Sequence, residues 1–128
     1  MPEYLLDTHT LIWMLEDNPL IPFRVKSLLT KFDSQLSISI ISIWEIVIKT
    51  QIVKLELKFE IQDIFEYCER NKIQIRPITI NYLLVYHTLP LIHRDPFDRM
   101  IIATAISDKI TIVSKDAEVA KYHVNLIW

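Results

Sequence analysis

EYLLDTHTLIWMLED, residues 3–17, begins as a short apolar run, meets a carboxylate at Asp7 and then takes on helical spacing. EYLLD (3–7) predicts a buried strand, and THTLIWMLED (8–17) the helix leaving it. A carboxylate at the tip of a buried strand needs a reason. Helix capping is one, and the rest of the chain decides whether it is enough.

The same alternation continues outward from this stretch. PFRVKSLLTKF (22–32) predicts a helix with Val25, Leu28, Leu29 and Phe32 on one face. QLSIS (35–39) reads as a strand and SIWEIVIKTQ (42–51) as a helix. EIQDIFEYCERN (60–71) reads as an amphipathic helix with Ile61, Ile64, Phe65 and Cys68 aligned. IQIRPI (73–78) is a strand and INYLLVYHTL (80–89) a helix. DPFDRMIIATAISDK (95–109) is a helix with Asp95 as N-cap and Pro96 in its first position. ITIVS (110–114), KDAEVAKYH (115–123) and VNLIW (124–128) add a strand, a short helix and a final strand. Strand–helix alternation of this kind implies an α/β fold, a parallel sheet of four or five strands with helices on both faces. Ligands of such sheets bind beyond the carboxyl ends of the strands, where the strand order switches.

The length of 128 residues fits one domain spanning 1–128, and 51% hydrophobic residues supply a core. A single cysteine, Cys68, excludes an intrachain disulfide and suits a reducing cytoplasm. No run approaches a membrane span, and Asp7, His9 and Glu16 interrupt the only apolar stretch a leader could use. The chain contains no glycine, which excludes phosphate loops of the P-loop and dinucleotide-binding kinds. The net charge of −2 argues against a nucleic-acid partner only if the acids are dispersed. Discounting four clustered carboxylates leaves the remainder net positive.

Four acids share such an address. Asp7 ends the first strand, Glu45 falls in the first turn of the helix from Ser42, Asp98 in the first turn of the helix from Asp95, and Asp116 follows ITIVS. Each taken alone has a plain explanation: SIWE is a capping box, DPFD nearly another, and helix N-termini favour acids. Capping does not explain why all four lie at one edge of the sheet. Carboxylates brought that close repel one another and stay ionised only with a cation. Oxygen ligands without His or Cys suit Mg²⁺, with Mn²⁺ able to substitute, and such an ion suits phosphodiester hydrolysis.

LLDTHTLIW (5–13), SIWEIVIK (42–49), HRDPFDRMIIATA (93–105) and IVSKD (112–116) together resemble the PIN-domain ribonucleases, specifically the VapC-type toxins of bacterial toxin–antitoxin pairs. The resemblance spans nearly the whole chain, with the motifs in the family's order. It implies a three-layer α/β/α PIN-like domain whose acidic site falls on Asp7, Glu45, Asp98 and Asp116. Of these, Asp7 and Asp98 would bind Mg²⁺ directly, and Ser114 stands where the family often has Ser or Thr near the metal. It further implies a cytoplasmic Mg²⁺-dependent endoribonuclease leaving a 5′-phosphate and a 3′-hydroxyl, neutralised by a cognate VapB-like antitoxin and usually a homodimer. The apolar segments 11–32 and 52–65 read as amphipathic helices, with core packing as the plain explanation; the resemblance implies that helices of the N-terminal half form a groove for the antitoxin's C-terminal segment.

The neighbours of the acids suggest supporting roles. Asp95 is an N-cap or orients the site from behind. His93, Arg94 and Arg99 could hold RNA phosphates, and Arg99 could equally pair with a carboxylate. Lys49, four residues after Glu45, and Lys115 are further candidates for RNA contact, each with a solvated surface as the plain alternative. His9 can approach the site but is not needed as a base. Trp13 and Trp44 fall on apolar helix faces and predict core packing, and Trp128 predicts packing at the sheet edge. Two other functions compete. A haloacid-dehalogenase-like phosphatase would use Asp7 as nucleophile, though its second acid is replaced here by His9. A non-catalytic RNA- or protein-binding module would use the acids only as caps.

Overall fold

The computed structural model describes residues 2–52 and 58–128. Residues 53–57, in the expected apolar segment 52–65, lie outside the described residues. Five strands form one sheet: β1 (Glu3–Leu6), β2 (Gln35–Ser39), β3 (Gln74–Arg76), β4 (Thr111–Val113) and β5 (Leu126–Ile127). Their order is β3-β2-β1-β4-β5, and every pairing is parallel. The order reverses between β1 and β4, so the switch point lies where Asp7 and Ser114 leave the sheet.

Six α-helices connect the strands: α1 (Thr8–Leu15), α2 (Phe23–Leu29), α3 (Ile40–Gln51), α4 (Ile61–Arg70), α5 (Ile80–Thr88) and α6 (Pro96–Asp108). A short 3₁₀ turn covers Ala117–Lys121. Alternation along the strands divides the apolar side chains between two cores. Leu6, Ile38 and Val113 face one core with α1, α2, α3 and α4, while Leu5 and Ile112 face the other with α5 and α6. The result is the three-layer α/β/α arrangement. No described helix is long and apolar enough to cross a membrane.

Three departures from the sequence reading concern helices α2 and α3. Helix α3 starts at Ile40, because Ser39 rather than Ser42 caps it, accepting from the Ile41 amide at 3.1 Å. Helix α2 stops at Leu29, so Phe32 belongs to no apolar face and is fully exposed. Trp44 is not in the core: it is 55% exposed and meets the edge of Phe97 with ring centroids 5.5 Å apart. Trp13 and Trp128 do pack against the first core and against each other, at 5.7 Å. Without glycine, left-handed backbone falls to Asp17, Lys72 and Lys109, the last ending α6.

Candidate functional site

Asp7 is fixed from three directions. Its amide donates to the Val113 carbonyl at 3.1 Å, its Oδ1 accepts the Thr10 amide at 2.8 Å, and its Oδ2 accepts the Ser114 hydroxyl at 2.5 Å. The Thr10 hydroxyl also donates to the Val113 carbonyl, at 3.0 Å. The start of α1 is thereby bolted to the end of β4. Capping is a real part of Asp7's role, but it occupies only one oxygen.

Glu45 is no cap. With the helix beginning at Ile40, it falls in the second turn of α3, and it is 3% exposed. The capping-box reading of SIWE therefore fails, and Ser42 lies inside the helix with its Oγ 2.9 Å from the Thr8 hydroxyl. Thr8 donates to Glu45 Oε1 at 2.7 Å, and Lys49 donates to Oε2 at 2.6 Å. Burial pulls the Lys49 ammonium toward neutrality. The hydrogen bond and charge of Glu45 outweigh it, with the charges of Asp95 and Asp98 behind, so its pKa lies above the ordinary value.

Asp95 caps α6, its Oδ1 accepting from the amides of Phe97 at 2.7 Å and Asp98 at 3.3 Å. Asp98, two residues after Pro96, holds its carboxylate in the partly buried space beyond the sheet, where it accepts no hydrogen bond from the described residues. Burial raises its pKa to about 6, followed by the charges of Asp95 and Glu45; His93 opposes, and Asp116 adds to the rise. A half-buried acid that cannot comfortably ionise among other acids is a place for a cation.

Asp116 caps the 3₁₀ turn through Oδ1 and the Glu118 amide at 3.0 Å. Its Oδ2 meets His93 Nε2 at 2.7 Å, and the other ring nitrogen of His93 meets the Tyr122 hydroxyl at 3.0 Å. Ser114 bridges the two strand-end acids, since its oxygen also accepts the Asp116 amide at 3.0 Å. Asp7, Asp98, Ser114 and Asp116 line one cavity of about 20 Å³, floored by Ile101, Ile102, Ile112 and Val119. That is room for one water or one ion. A larger cleft of about 490 Å³ between α6 and residues 122–125 lies at the other end of the strands and contains no acid.

Among the described residues, no three His, Cys, Asp or Glu side chains are already gathered closely enough to ligate one ion directly. The donor set nonetheless fits a hard divalent cation that keeps part of its water shell. Such ions need only one or two direct carboxylates. Here Asp98 is unbonded, and Asp7 and Asp116 are oriented from behind. Soft or nitrogen-seeking metals find neither thiolate nor imidazole among the residues lining this cavity.

The flanking residues resolve differently from the sequence reading. Arg99 neither reaches solvent nor pairs with an acid. It is 7% exposed and donates to the carbonyls of Pro90 (2.9 Å), His93 (3.3 Å) and Leu89 (3.4 Å), with Tyr86 stacked 4.9 Å away. His93 turns inward to Asp116 instead of outward to a phosphate. Arg94 is exposed, and exposed Lys115 lies 5.8 Å from the ring centroid of Trp13. His9 is exposed and faces Trp13. Sequence reasoning missed Thr8 and took Ser42 only for a cap; their one signal was small hydroxyl residues set directly beside or three before the acids. Nothing in the sequence announced Tyr122.

Comparison with known proteins adds the following. A model of the PIN domain family matches residues 4–124. Comparison with curated protein sequences gives no significant match. Among solved structures, the chain is similar to VapBC2 of Rickettsia felis bound to a DNA fragment from its promoter, at 20% identity and TM-score 0.74, covering 98% of each chain. It is also similar to VapBC-1 of nontypeable Haemophilus influenzae, at 19% identity and TM-score 0.69, over 98% of this chain and 96% of that one. FitAcB of Neisseria gonorrhoeae matches at 19% identity and TM-score 0.61, with the same coverage. At these identities the likeness is one of fold.

Proposed function

This chain belongs to the PIN domain family, and from that premise we propose that it is a metal-dependent endoribonuclease, the toxin of a VapBC-type toxin–antitoxin pair. The observation that carries the proposal is the meeting of Asp7, Asp98, Ser114 and Asp116 on one ion-sized cavity at the switch point of a parallel sheet.

Asp98 and Asp7 would hold the ion, Mg²⁺ or Mn²⁺, with Asp116 and Glu45 ordering its water shell. When bound, the ion supplies Lewis acidity toward water and the phosphoryl group. The chain's own groups do the positioning. Ser114 fixes the Asp7 carboxylate, Thr8 and Lys49 fix Glu45, and His93 fixes Asp116. In this reading Asp7 serves the ion and Ser114 orients Asp7, which leaves water as the attacking group. His9, where the phosphatase reading needs a second acid, weighs against that alternative.

Exposed Arg94 and Lys115 and the open ring of Trp44, next to Glu45, support a single-stranded nucleic acid over a small phosphoester, since bases stack on such rings. For the antitoxin, a mostly apolar cleft of about 110 Å³, with Trp13, Met14, Ile21, Leu29 and Tyr67 beside the polar Asp17, Asn18, Lys26 and Thr30, supports a docked peptide. The homodimer is supported by Ile80, Leu83 and Leu84, exposed on α5 at helical spacing.

The test is cleavage of end-labelled RNA by the purified chain with Mg²⁺ and with EDTA, beside p-nitrophenyl phosphate. Cleavage of RNA alone, restored by Mg²⁺ after EDTA, is expected. Phosphate release with a phosphoryl group trapped on Asp7 would overturn the reading in favour of a phosphatase. Thr8→Val keeps the shape of α1 but removes the donor from Glu45 Oε1. It is expected to lower kcat/KM by about 10- to 100-fold with the circular dichroism spectrum unchanged.

A further inference from the structure

One imidazole clamps both ends of the short turn that follows β4. The 3₁₀ turn is capped by Asp116 and ends at Tyr122, with the Val119 amide donating to the Asp116 carbonyl at 3.2 Å and the Tyr122 amide to the Val119 carbonyl at 3.1 Å. His93 spans these two ends from a different segment of the chain. Its Nε2 meets Asp116 Oδ2 at 2.7 Å and its Nδ1 meets the Tyr122 hydroxyl at 3.0 Å. Its own amide donates to the same hydroxyl, also at 3.0 Å, and the Arg99 guanidinium holds its carbonyl. The His93 and Tyr122 rings stack as well, with centroids 5.5 Å apart and planes inclined by 26°.

The proton inventory fixes what each contact does. An ionised carboxylate only accepts, so the proton shared by His93 and Asp116 belongs to Nε2. A tyrosine hydroxyl both gives and takes, so it serves Nδ1 with or without a proton there. The aim of the ring therefore holds for either charge of the imidazole. Burial shows which partner is the anchor. Tyr122 is 5% exposed and packs in the second core with residues of α5 and α6, whereas the Asp116 side chain is 40% exposed. Without its imidazole that carboxylate is free to swing into water.

We propose that Tyr122 is a positioning residue for Asp116, acting through His93: its hydroxyl keeps the imidazole turned so that Nε2–H stays on the carboxylate. The effect on cleavage rests on the nuclease reading above; the hydrogen-bonded relay itself does not.

The test follows the His93 ring proton by NMR of the full chain carrying isotopically labelled histidine, with His93→Leu assigning the signal among the four histidines. Wild type is expected to show an Nε2–H that exchanges slowly with water. Tyr122→Phe keeps the ring and its packing, and is expected to lose that protection and to lower kcat/KM for RNA roughly tenfold. In a His93→Leu background the same substitution is expected to add less than about twofold, whereas a merely structural loss would add in full. A fast-exchanging Nε2–H in wild type would overturn the proposal without any variant. Undiminished protection in Tyr122→Phe, its fold checked by circular dichroism, or additive losses in the double variant, would overturn it and leave the nuclease reading intact. No cleavage by wild type beside a protected ring proton would overturn the nuclease reading, and the anchoring of Asp116 would stand without it.

Discussion

Asp98→Asn is expected to abolish metal-dependent RNA cleavage, by about 100-fold or more, while raising the thermal stability of the metal-free protein. The two effects share a cause. Asp98 has a pKa of about 6, against an ordinary value of 3.8, because it is half-buried and faces Asp95 and Glu45. A carboxyl whose pKa is raised by folding stabilises the folded state below its unfolded value, and that contribution is lost as pH rises through its folded value. Metal-free wild type should therefore lose stability between about pH 4 and pH 7. The loss is on the order of 1–2 kcal/mol, below full conversion of the shift because part of the carboxyl is solvated. Asparagine has no charge to repel, so the variant should show a flatter profile and a Tm a few degrees higher at pH 7. Mg²⁺ should raise the Tm of wild type and leave that of the variant where it is. Differential scanning calorimetry from pH 4 to 8, with and without Mg²⁺, reads all of this. Equal profiles for the two proteins would show that Asp98 bears no such repulsion.

Arg99→Leu is expected to cost about 3 kcal/mol of stability and roughly 10 °C in Tm. The guanidinium is a buried cation whose partners are carbonyls: Leu89, Pro90 and His93 all lose their donor when it goes. Hydrogen bonds from charged donors are worth more than neutral ones, and an orphaned buried acceptor adds its own penalty. Arg99→Lys should recover little, since one ammonium cannot span three carbonyls that a planar fork reaches together. Urea denaturation gives the number, and a loss below about 1 kcal/mol would mean that the 89–93 loop finds other donors. Activity should fall too, because the same loop carries the ring that holds Asp116.

How much of this was legible beforehand varied with the physics of each residue. Strand and helix alternation was plain in the apolar spacing, and Asp7 stood out because a charge interrupts a buried run. Glu45 was placed nearly a full turn too near the start of α3 because Ser39 and Ser42 both offer a capping hydroxyl, and only the backbone selects one. Trp44 was misjudged for a related reason. Helix α3 sends Ile41 into one core and Ile43 and Ile46 into the other, so apolar residues surround most of its circumference and periodicity no longer marks the open side. Arg99 was beyond the sequence altogether: carbonyls are present at every residue, and no side-chain pattern reveals which of them will converge on a guanidinium.

The hydrogen bond from Ser114 to Asp7 joins residues 107 positions apart. During synthesis Asp7 emerges early, yet its strand is flanked on one side only until β4 has been made and docked. A nascent chain thus carries its first acid for most of its translation without the wall that completes the pocket. Under the proposed nuclease reading, the site stays incomplete until β4 docks beside β1 and Ser114 reaches Asp7.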